Sequence, residues 1–545
     1  MKQDGGKMKI VNNILHGPPY QPSPDISIQE HLHNVVRKNL DATALVDIET
    51  GLSYTYRYIF EASVKLTYAL KSYGIDPDDR ISIASENHPN YPIVMWAVFN
   101  TKAVFAPLNP AYTEVEYKHM LGIYEPRLIF VSRKCEPLMT KIASTVLWKM
   151  SLIQLDDEAI NKDIPTLKQL LEKYDGLIDP YSFVPTPNTD NSKKMAVIIC
   201  SSGTTGFPKG VTLSHRNLII FMNKFIQPEL FDYRKGDRML NFLPLFHGYS
   251  LSLVFMTMTT SATIYIMRRF NIDIVLQSIE KYRLTHLPLV PPVLVLFGKH
   301  PGLSKYDFSS VREILCGAAP LPKDIADEVT RRLGCRGIRN GYGMTELTIV
   351  TNLSRKDCDK YDGNVGPVIP GMLCKTVDPD TGETLPPGQV GEICMKSDQV
   401  MLGYFRNPKA TAETIDKDQW LHTGDLGYFN TDGILYISGR LKEVIKYKGF
   451  QVSPSEIETL IQSHPDVKDA AIIGKPDEEC GEVPMAFVVR KSDSKVSSED
   501  ISNFIKKNLS PQKWLRGGVH FIEAIPKTPS GKIVRRELHS MISKL

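Results

Sequence analysis

The sequence predicts an α/β protein, with a large N-terminal domain of layered α/β subdomains, a β-rich subdomain, and a small α+β C-terminal domain. Three observations carry this. At 545 residues the chain is far longer than one hydrophobic core supports. Short apolar, β-rich runs alternate with amphipathic helical stretches. The texture then changes near residue 365 and again near 440.

In chain order, RISIASE from Arg80, RLIFVS from Arg127, MAVIICS from Met195, ATIYIM from Ala262 and HLPLVPPV from His286 read as buried strands. EASVKLTYALKSYG and NIDIVLQSIEKYR between them read as helices, so substantially parallel sheet is expected. From about 365 to 439, DPDTGETLPPGQVGEI and FNTDGILYISGR supply turn dipeptides between short strands, the mark of a β-rich subdomain. After Gly439-Arg440-Leu441-Lys442 comes helix SEIETLIQSH, strand AAIIGK, strand MAFVVRK and helix SEDISNFIKKNL. The domains are therefore set at 1–439 and 443–545, with a hinge at 440–442.

Composition excludes several classes of function. Lys and Arg number 65 against 61 Asp and Glu, a net charge of +4, which offers no basic stripe for nucleic acid. Eight cysteines, at 135, 200, 316, 335, 358, 374, 394 and 480, include no CxxC pair, so no disulfide framework or zinc knuckle is expected. The first residues hold no apolar stretch of signal-peptide length, and the most apolar run, LPLVPPVLVLFG, is broken by prolines, so no membrane span is expected. Ser543-Lys544-Leu545 is the tripeptide that peroxisomal import receptors read, so such a receptor is an expected partner and the peroxisome the expected location.

SSGTTGFPKG, residues 201–210, is the first stretch that suggests chemistry. Set between the strand MAVIIC and a helix LSHRNLIIFMNKF, its backbone N–H groups would face an anion, while its hydroxyls and Lys209 add donors and charge. A Walker A loop needs Gly-Lys-Ser/Thr, and here Pro208 precedes the lysine and Gly210 follows it. A flexible surface loop has the same composition, so the stretch needs support from elsewhere in the chain.

That support comes from four further stretches in a fixed order: NGYGMTE (340–346), HTGDLGYF (422–429), GRLKEVIKYKGFQVSPSEIE (439–458) and PKTPSGKIVRR (526–536). Together with the loop they resemble the adenylate-forming superfamily of acyl-CoA synthetases, coumarate-CoA ligases, peptide-synthetase adenylation domains and beetle luciferases. The resemblance spans nearly the whole chain. IKYKGFQVSPSEIE, KWLRGGV and the SKL end are most similar to beetle luciferases and insect luciferase-like fatty acyl-CoA synthetases.

The resemblance implies two half-reactions. A carboxylate first takes AMP from ATP, and CoA then displaces the AMP, with ATP, Mg²⁺ and CoA as the small molecules involved. It assigns Ser202, Gly203, Thr204, Thr205, Gly206 and Lys209 to the phosphates, and Glu346 with Thr345 to the metal. Gly341, Tyr342 and Gly343 seat the adenine, Asp425 takes the ribose hydroxyls, and Arg440 touches ribose or phosphate. Lys532 bridges the attacking carboxylate and the α-phosphate, a role suited to a point charge on a flexible stem. His247 stands beside the substrate carboxylate. For the second step the small mobile C-terminal domain rotates, bringing Lys446 to the site while Lys448 and Gly449 border the CoA passage. Gly439 stands where the hinge of many relatives carries Asp or Lys, so the pivot is expected at Lys442.

The acid pocket is assigned to Phe221, Phe246, Tyr249, Gly317, Leu347, Thr348 and Ile349. Luciferases similar to this chain carry His-His-Gly-Phe at 246–249 here, an arginine at 221 and Thr-Thr-Ser at 347–349. Apolar side chains replace those polar groups, and each buried methylene contributes about 0.8 kcal/mol. A medium- to long-chain fatty acid is therefore the expected substrate, and a beetle-type luciferase the alternative. A non-catalytic binding homologue would lack Lys532 or the phosphate loop, and both are present.

Overall fold

The structure is a computed structural model that describes residues 8–20, 22–201, 208–356, 361–448, 450–528 and 531–542. Its described residues form four sheets. In the first large sheet the strands Leu128–Val131, Arg80–Ala84, Val104–Leu108 and Met195–Ser201 are parallel neighbours, as their uninterrupted apolar runs predict. In the second, Ile338–Tyr342, Glu313–Cys316, His286–Leu289, Arg238–Asn241 and Thr263–Ile266 are parallel. The mixed α/β class is thus as expected. Every residue of the helix Tyr91–Asn100 is buried, which fits YPIVMWAVFN having no polar face.

Two local expectations are corrected. The prolines of HLPLVPPV do not extend the strand, which stops at Leu289. Pro291 instead opens the helix Pro291–Lys299, in the first turn where a missing N–H costs nothing. The 201–210 stretch does not join a strand to a helix either. Lys209–Ser214 is itself a strand, antiparallel to Met195–Ser201, with Lys209 opposite Ser201. Its Val211, Thr212 and Leu213 are β-formers, and the helix His215–Phe225 starts only after Ser214 caps it in a reciprocal pair with Asn217. The phosphate-type stretch therefore lies between two paired antiparallel strands, not between a strand and a helix.

The third sheet holds Leu373–Val377, Gly391–Lys396, Leu421–Phe429 and Leu435–Arg440, all antiparallel, and it also recruits the N-terminal hairpin Lys9–Val11 and Ile14–His16. The fourth is built after residue 444 from Ile445–Tyr447, Phe450–Val452, Val467–Asp477, Gly481–Arg490 and Val519–Phe521, flanked by the helices Pro454–Gln462 and Ser498–Asn508. It has its own core around Ile457, Ile472, Val488 and Ile501. The hydroxyls of Ser453 and Ser455 both donate to the Ser438 carbonyl, at 2.5 and 2.8 Å, and tie this unit to the third sheet. A Cβ on Gly439 would lie 2.6 Å from Ser453 Oγ, so the clasp closes only over glycine. No helix among the described residues is long and apolar enough to cross a membrane.

Candidate active site

The carboxyl ends of the parallel strands Glu313–Cys316 and Ile338–Tyr342 open onto a cavity of about 360 Å³, the place where open α/β sheets bind ligands. Gly341, Tyr342, Gly343, Thr345 and Glu346 border it in sequence, and Gly317 faces them. A Cβ at Gly343 would sit 1.8 Å from the Ile349 carbonyl, so only glycine lets the 343–349 turn close on itself. Within that turn Thr348 and Ile349 take φ values of 53° and 81°, the left-handed region. A β-branched residue rarely goes there, and such strain costs of order 1–3 kcal/mol. It aims Ile349 at the cavity.

Asp425 is set by strand pairing. The register of Leu421–Phe429 against Gly391–Lys396 shifts between Cys394 and Glu392, around Gly424 at φ 69°. Asp425 then lies directly across from Arg440. The Arg440 Nε is 3.0 Å from Asp425 Oδ1, and the Tyr342 hydroxyl donates to Oδ2 at 2.6 Å. Burial first, and then the Asp425 charge, push the Tyr342 phenol far above its usual range, so it stays a donor. Tyr342, expected only as a stacking ring, thus also orients the carboxylate. Thr423, Gly424 and Arg440 border the cavity beside it.

Lys209 and Glu346 meet through a residue that the sequence reading missed. Lys209 Nζ stands 4.6 Å from the centroid of the Tyr404 ring, and the Tyr404 hydroxyl donates to Glu346 Oε1 at 2.9 Å. Tyr404 also pairs with Val211 of the hairpin strand. Its signal lay in MLGYF, which gives no reason to single it out. Glu346 is buried, with one carboxylate oxygen held by Tyr404 and Thr345 beside it on the cavity wall. One carboxylate and one hydroxyl, completed by substrate phosphates and water, is a donor set that fits Mg²⁺.

Lys532 comes from the C-terminal unit on a tight turn. Its N–H bonds Thr528 Oγ1 at 3.1 Å, Gly531 N–H bonds the Thr528 carbonyl at 2.8 Å, and Gly531 takes φ 86°. The turn lies so close to the helix Pro291–Lys299 that a Cβ on Gly531 would meet Pro292 Cγ at 2.7 Å. Lys532 borders the cavity with His247, and among the described residues no carboxylate lies within ion-pair reach of its ammonium. Both side chains keep some surface toward the cavity, yet protein atoms surround the ammonium and the ring. That burial is the first cause lowering both pKa values; Arg440 adds to the effect on Lys532, and Lys532 to that on His247, which falls to about 4. His247 is therefore neutral at pH 7. Its Nδ1 accepts the Tyr249 N–H at 3.3 Å, which leaves the proton on Nε2.

The remaining expected residues divide. Tyr249 and Ile349 border the cavity beside His247, and Phe246 borders a contiguous cleft of about 980 Å³ between the two units. Phe221, Leu347 and Thr348 border neither space. Phe221 is packed in the core against Phe225 at 4.6 Å, Leu347 is fully buried, and the Thr348 hydroxyl donates to the Gln399 carbonyl. Their assignment to the acid wall is corrected for a physical reason: the helix His215–Phe225 turns Phe221 inward, and the 345–347 turn does the same to Leu347. Lys446 and Lys448 are exposed away from both spaces, with the Lys446 N–H bonded to Glu482 Oε2 at 2.9 Å. Ser202, Gly203, Thr204, Thr205, Gly206, Gly449 and Ser543–Leu545 lie outside the described residues.

Known proteins share this arrangement. The AMP-binding enzyme family matches residues 32–405, and the AMP-binding enzyme C-terminal domain matches 456–532. Luciferin 4-monooxygenase of Luciola mingrelica is 33% identical over 545 residues, covering 99% of both chains, and 4-coumarate–CoA ligase 1 of Petroselinum crispum is 36% identical, covering 95% of this chain and 96% of the ligase. Among solved structures, ATP-bound MatB from Rhodopseudomonas palustris superposes with a TM-score of 0.86 at 25% identity, covering 94% of this chain and 98% of that one. The luciferase-like enzyme of the nonluminescent mealworm Zophobas morio gives 0.72 at 28% identity, covering 79% of this chain and all of that one. By motif order, fold and match over most of its length, the chain belongs to the AMP-binding enzyme family, the adenylate-forming enzymes.

Proposed function

We propose that this adenylate-forming enzyme is an AMP-forming CoA ligase acting on medium- to long-chain fatty acids. The observation that carries the chemistry is the convergence of residues from separate motifs on one cavity: Lys209 and Glu346 at one end, Tyr342, Asp425 and Arg440 along its side, and Lys532 beside His247. A carboxylate and a triphosphate repel each other, and an uncommitted buried ammonium offers both a shared counter-charge as the new P–O bond forms. Mg²⁺ held at Glu346 and Thr345 would neutralise the departing pyrophosphate. His247, neutral and with Nε2–H free, donates a hydrogen bond to the acid without adding charge.

The nature of the acid is argued from the wall beside His247. Tyr249, Leu315, Ala318 and Ile349 are apolar or nearly so, and a polar luciferin ring would leave its buried heteroatoms unpaired there. The 4-coumarate–CoA ligase relatives support the thioester step. The test uses ATP, Mg²⁺, CoA and a ladder of carboxylic acids including luciferin, with acyl-CoA and light both recorded. Fatty acyl-CoA without appreciable light is expected, and bright emission from luciferin with no fatty acyl-CoA would refute the assignment.

A further inference from the structure

Three metal-ligating side chains unused by this chemistry lie together on the third sheet. Glu392 and Cys394 are two apart on the strand Gly391–Lys396, and Cys394 pairs directly with His422 on the neighbouring strand. Their ligand atoms all lie within 4.8 Å of one another. His422 Nδ1 is 2.8 Å from Glu392 Oε2 and 3.5 Å from Cys394 Sγ. We propose that Glu392, Cys394 and His422 form a binding site for a Zn²⁺-class cation, separate from the Mg²⁺ position at Glu346, with its fourth coordination position open to the nucleotide cavity.

The distances suit such an ion. At zinc bond lengths of about 2.1 Å to nitrogen and oxygen and about 2.3 Å to sulfur, a tetrahedral centre separates N from O by roughly 3.4 Å and N from S by roughly 3.6 Å. The sulfur already stands at that separation, and the carboxylate needs to withdraw by about half an ångström. The supporting partners are in place as well. His422 Nε2 faces Asp416 Oδ2 at 3.7 Å, where a small closure would let that carboxylate orient the ligating imidazole, and Glu392 Oε1 accepts the Gly424 N–H at 3.1 Å. Cys394 is fully buried, while Glu392 and His422 reach the cavity wall, so an ion between them has a protein side and an open side. Thiolate, imidazole and carboxylate together select Zn²⁺, Cd²⁺ or Co²⁺ over Mg²⁺. On binding, the Cys394 thiol proton and the imidazole Nδ1 proton leave for solvent, and no electron is transferred.

Cobalt reports the site directly, because a thiolate ligand gives Co²⁺ a charge-transfer absorption. Titrating the full-length enzyme with Co²⁺ in the absence of nucleotide should produce that band with one ion per chain, bleached by one equivalent of Zn²⁺. Cys394→Ser should abolish it and His422→Gln should weaken Co²⁺ binding by at least about tenfold, the lower limit for loss of even a supporting group. Zn²⁺ should raise the melting temperature of the parent and not of Cys394→Ser, since a ligand bound only to the folded state stabilises it. Retention of the band at full strength in a folded Cys394→Ser would assign it to another of the chain's cysteines and overturn the proposal. Cys394→Ala, whose near-normal melting temperature is checked first, guards against a serine variant that fails to fold.

Discussion

Replacing Lys532 by alanine tests the central reading of the cavity. The ammonium is surrounded by protein, has Arg440 as a like-charged neighbour, and pairs with no carboxylate within 4.0 Å among the described residues. It is thus a charge held ready for a substrate anion rather than one spent on the fold. At about 4 Å from an α-phosphate oxygen, with an effective dielectric near 20, a unit charge is worth roughly 4 kcal/mol. Loss of one preorganised donor to a developing oxyanion costs about 10²–10³ in kcat, some 3–4 kcal/mol, so the two estimates agree. Lys532→Ala should therefore slow acyl-adenylate formation, followed by pyrophosphate release, by about 10²–10³-fold. Transfer of a supplied acyl-adenylate to CoA should stay within a few-fold, and the melting temperature should hold or rise. The pH profile gives a second check. The charged form is the active one and burial lowers its pKa, so adenylation is lost as pH rises through a value below the usual lysine range, and Lys532→Arg should move that limb upward. Equal loss in both half-reactions would refute the reasoning.

Three other outcomes follow from the same geometry. Tyr404→Phe keeps the ring over Lys209 and removes the hydroxyl from Glu346, so the Mg²⁺ concentration needed for half-maximal adenylation should rise several-fold with little change in KM for the acid; an unchanged Mg²⁺ response would dissociate Tyr404 from Glu346. Lys446→Ala should slow CoA transfer more than adenylation in single-turnover experiments, and the opposite order would remove Lys446 from the second step. Burial holds the His215 imidazole down at about 3. The unfolded chain then binds more protons than the folded one below about pH 6.5, so stability present above that pH falls as pH drops, by roughly 2 kcal/mol at pH 5 for this group. His215→Gln should flatten the fall in melting temperature between pH 7 and pH 5, and an unchanged slope would assign the acid sensitivity to other groups.

Legibility from sequence followed locality. Strands such as Arg80–Ala84 and helices such as Tyr56–Ser72 announce themselves because side-chain periodicity and capping act within a few residues. Motif residues such as Tyr342, Asp425 and Lys532 were nameable because their spacing resembles a known pattern. What failed depended on three-dimensional partners. Phe221 and Leu347 were placed on the acid wall by aligned position alone, and only the packing of their elements shows them turned to the core. The 201–210 stretch was read as leading directly into the helix LSHRNLIIFMNKF, and the strand character of Lys209–Ser214 needs Met195–Ser201 beside it. Tyr404 became visible only when its strand paired with the hairpin that carries Lys209.

The arrangement of the C-terminal unit explains why two lysines of one small domain are in such different surroundings. Lys532 is enclosed at the cavity while Lys446, on the strand Ile445–Tyr447, is exposed. A role for Lys446 in the CoA step, as expected from the sequence, would require the unit to turn as a body, and what would turn with it can be read from its contacts. Arg535 joins Glu443, just past the expected pivot at Lys442, to Glu458 on the helix Pro454–Gln462, at 2.7 and 2.6 Å, and also donates to the Ile472 carbonyl. These groups lie on one side of Lys442, so a pivot there leaves the network intact and carries the Lys532 turn with it. Turning about Lys442 would break the bonds that cross it, chiefly the two serine hydroxyls on the Ser438 carbonyl. Each such neutral hydrogen bond is worth about 1 kcal/mol net, small enough for product release and CoA arrival to bias the equilibrium between two orientations.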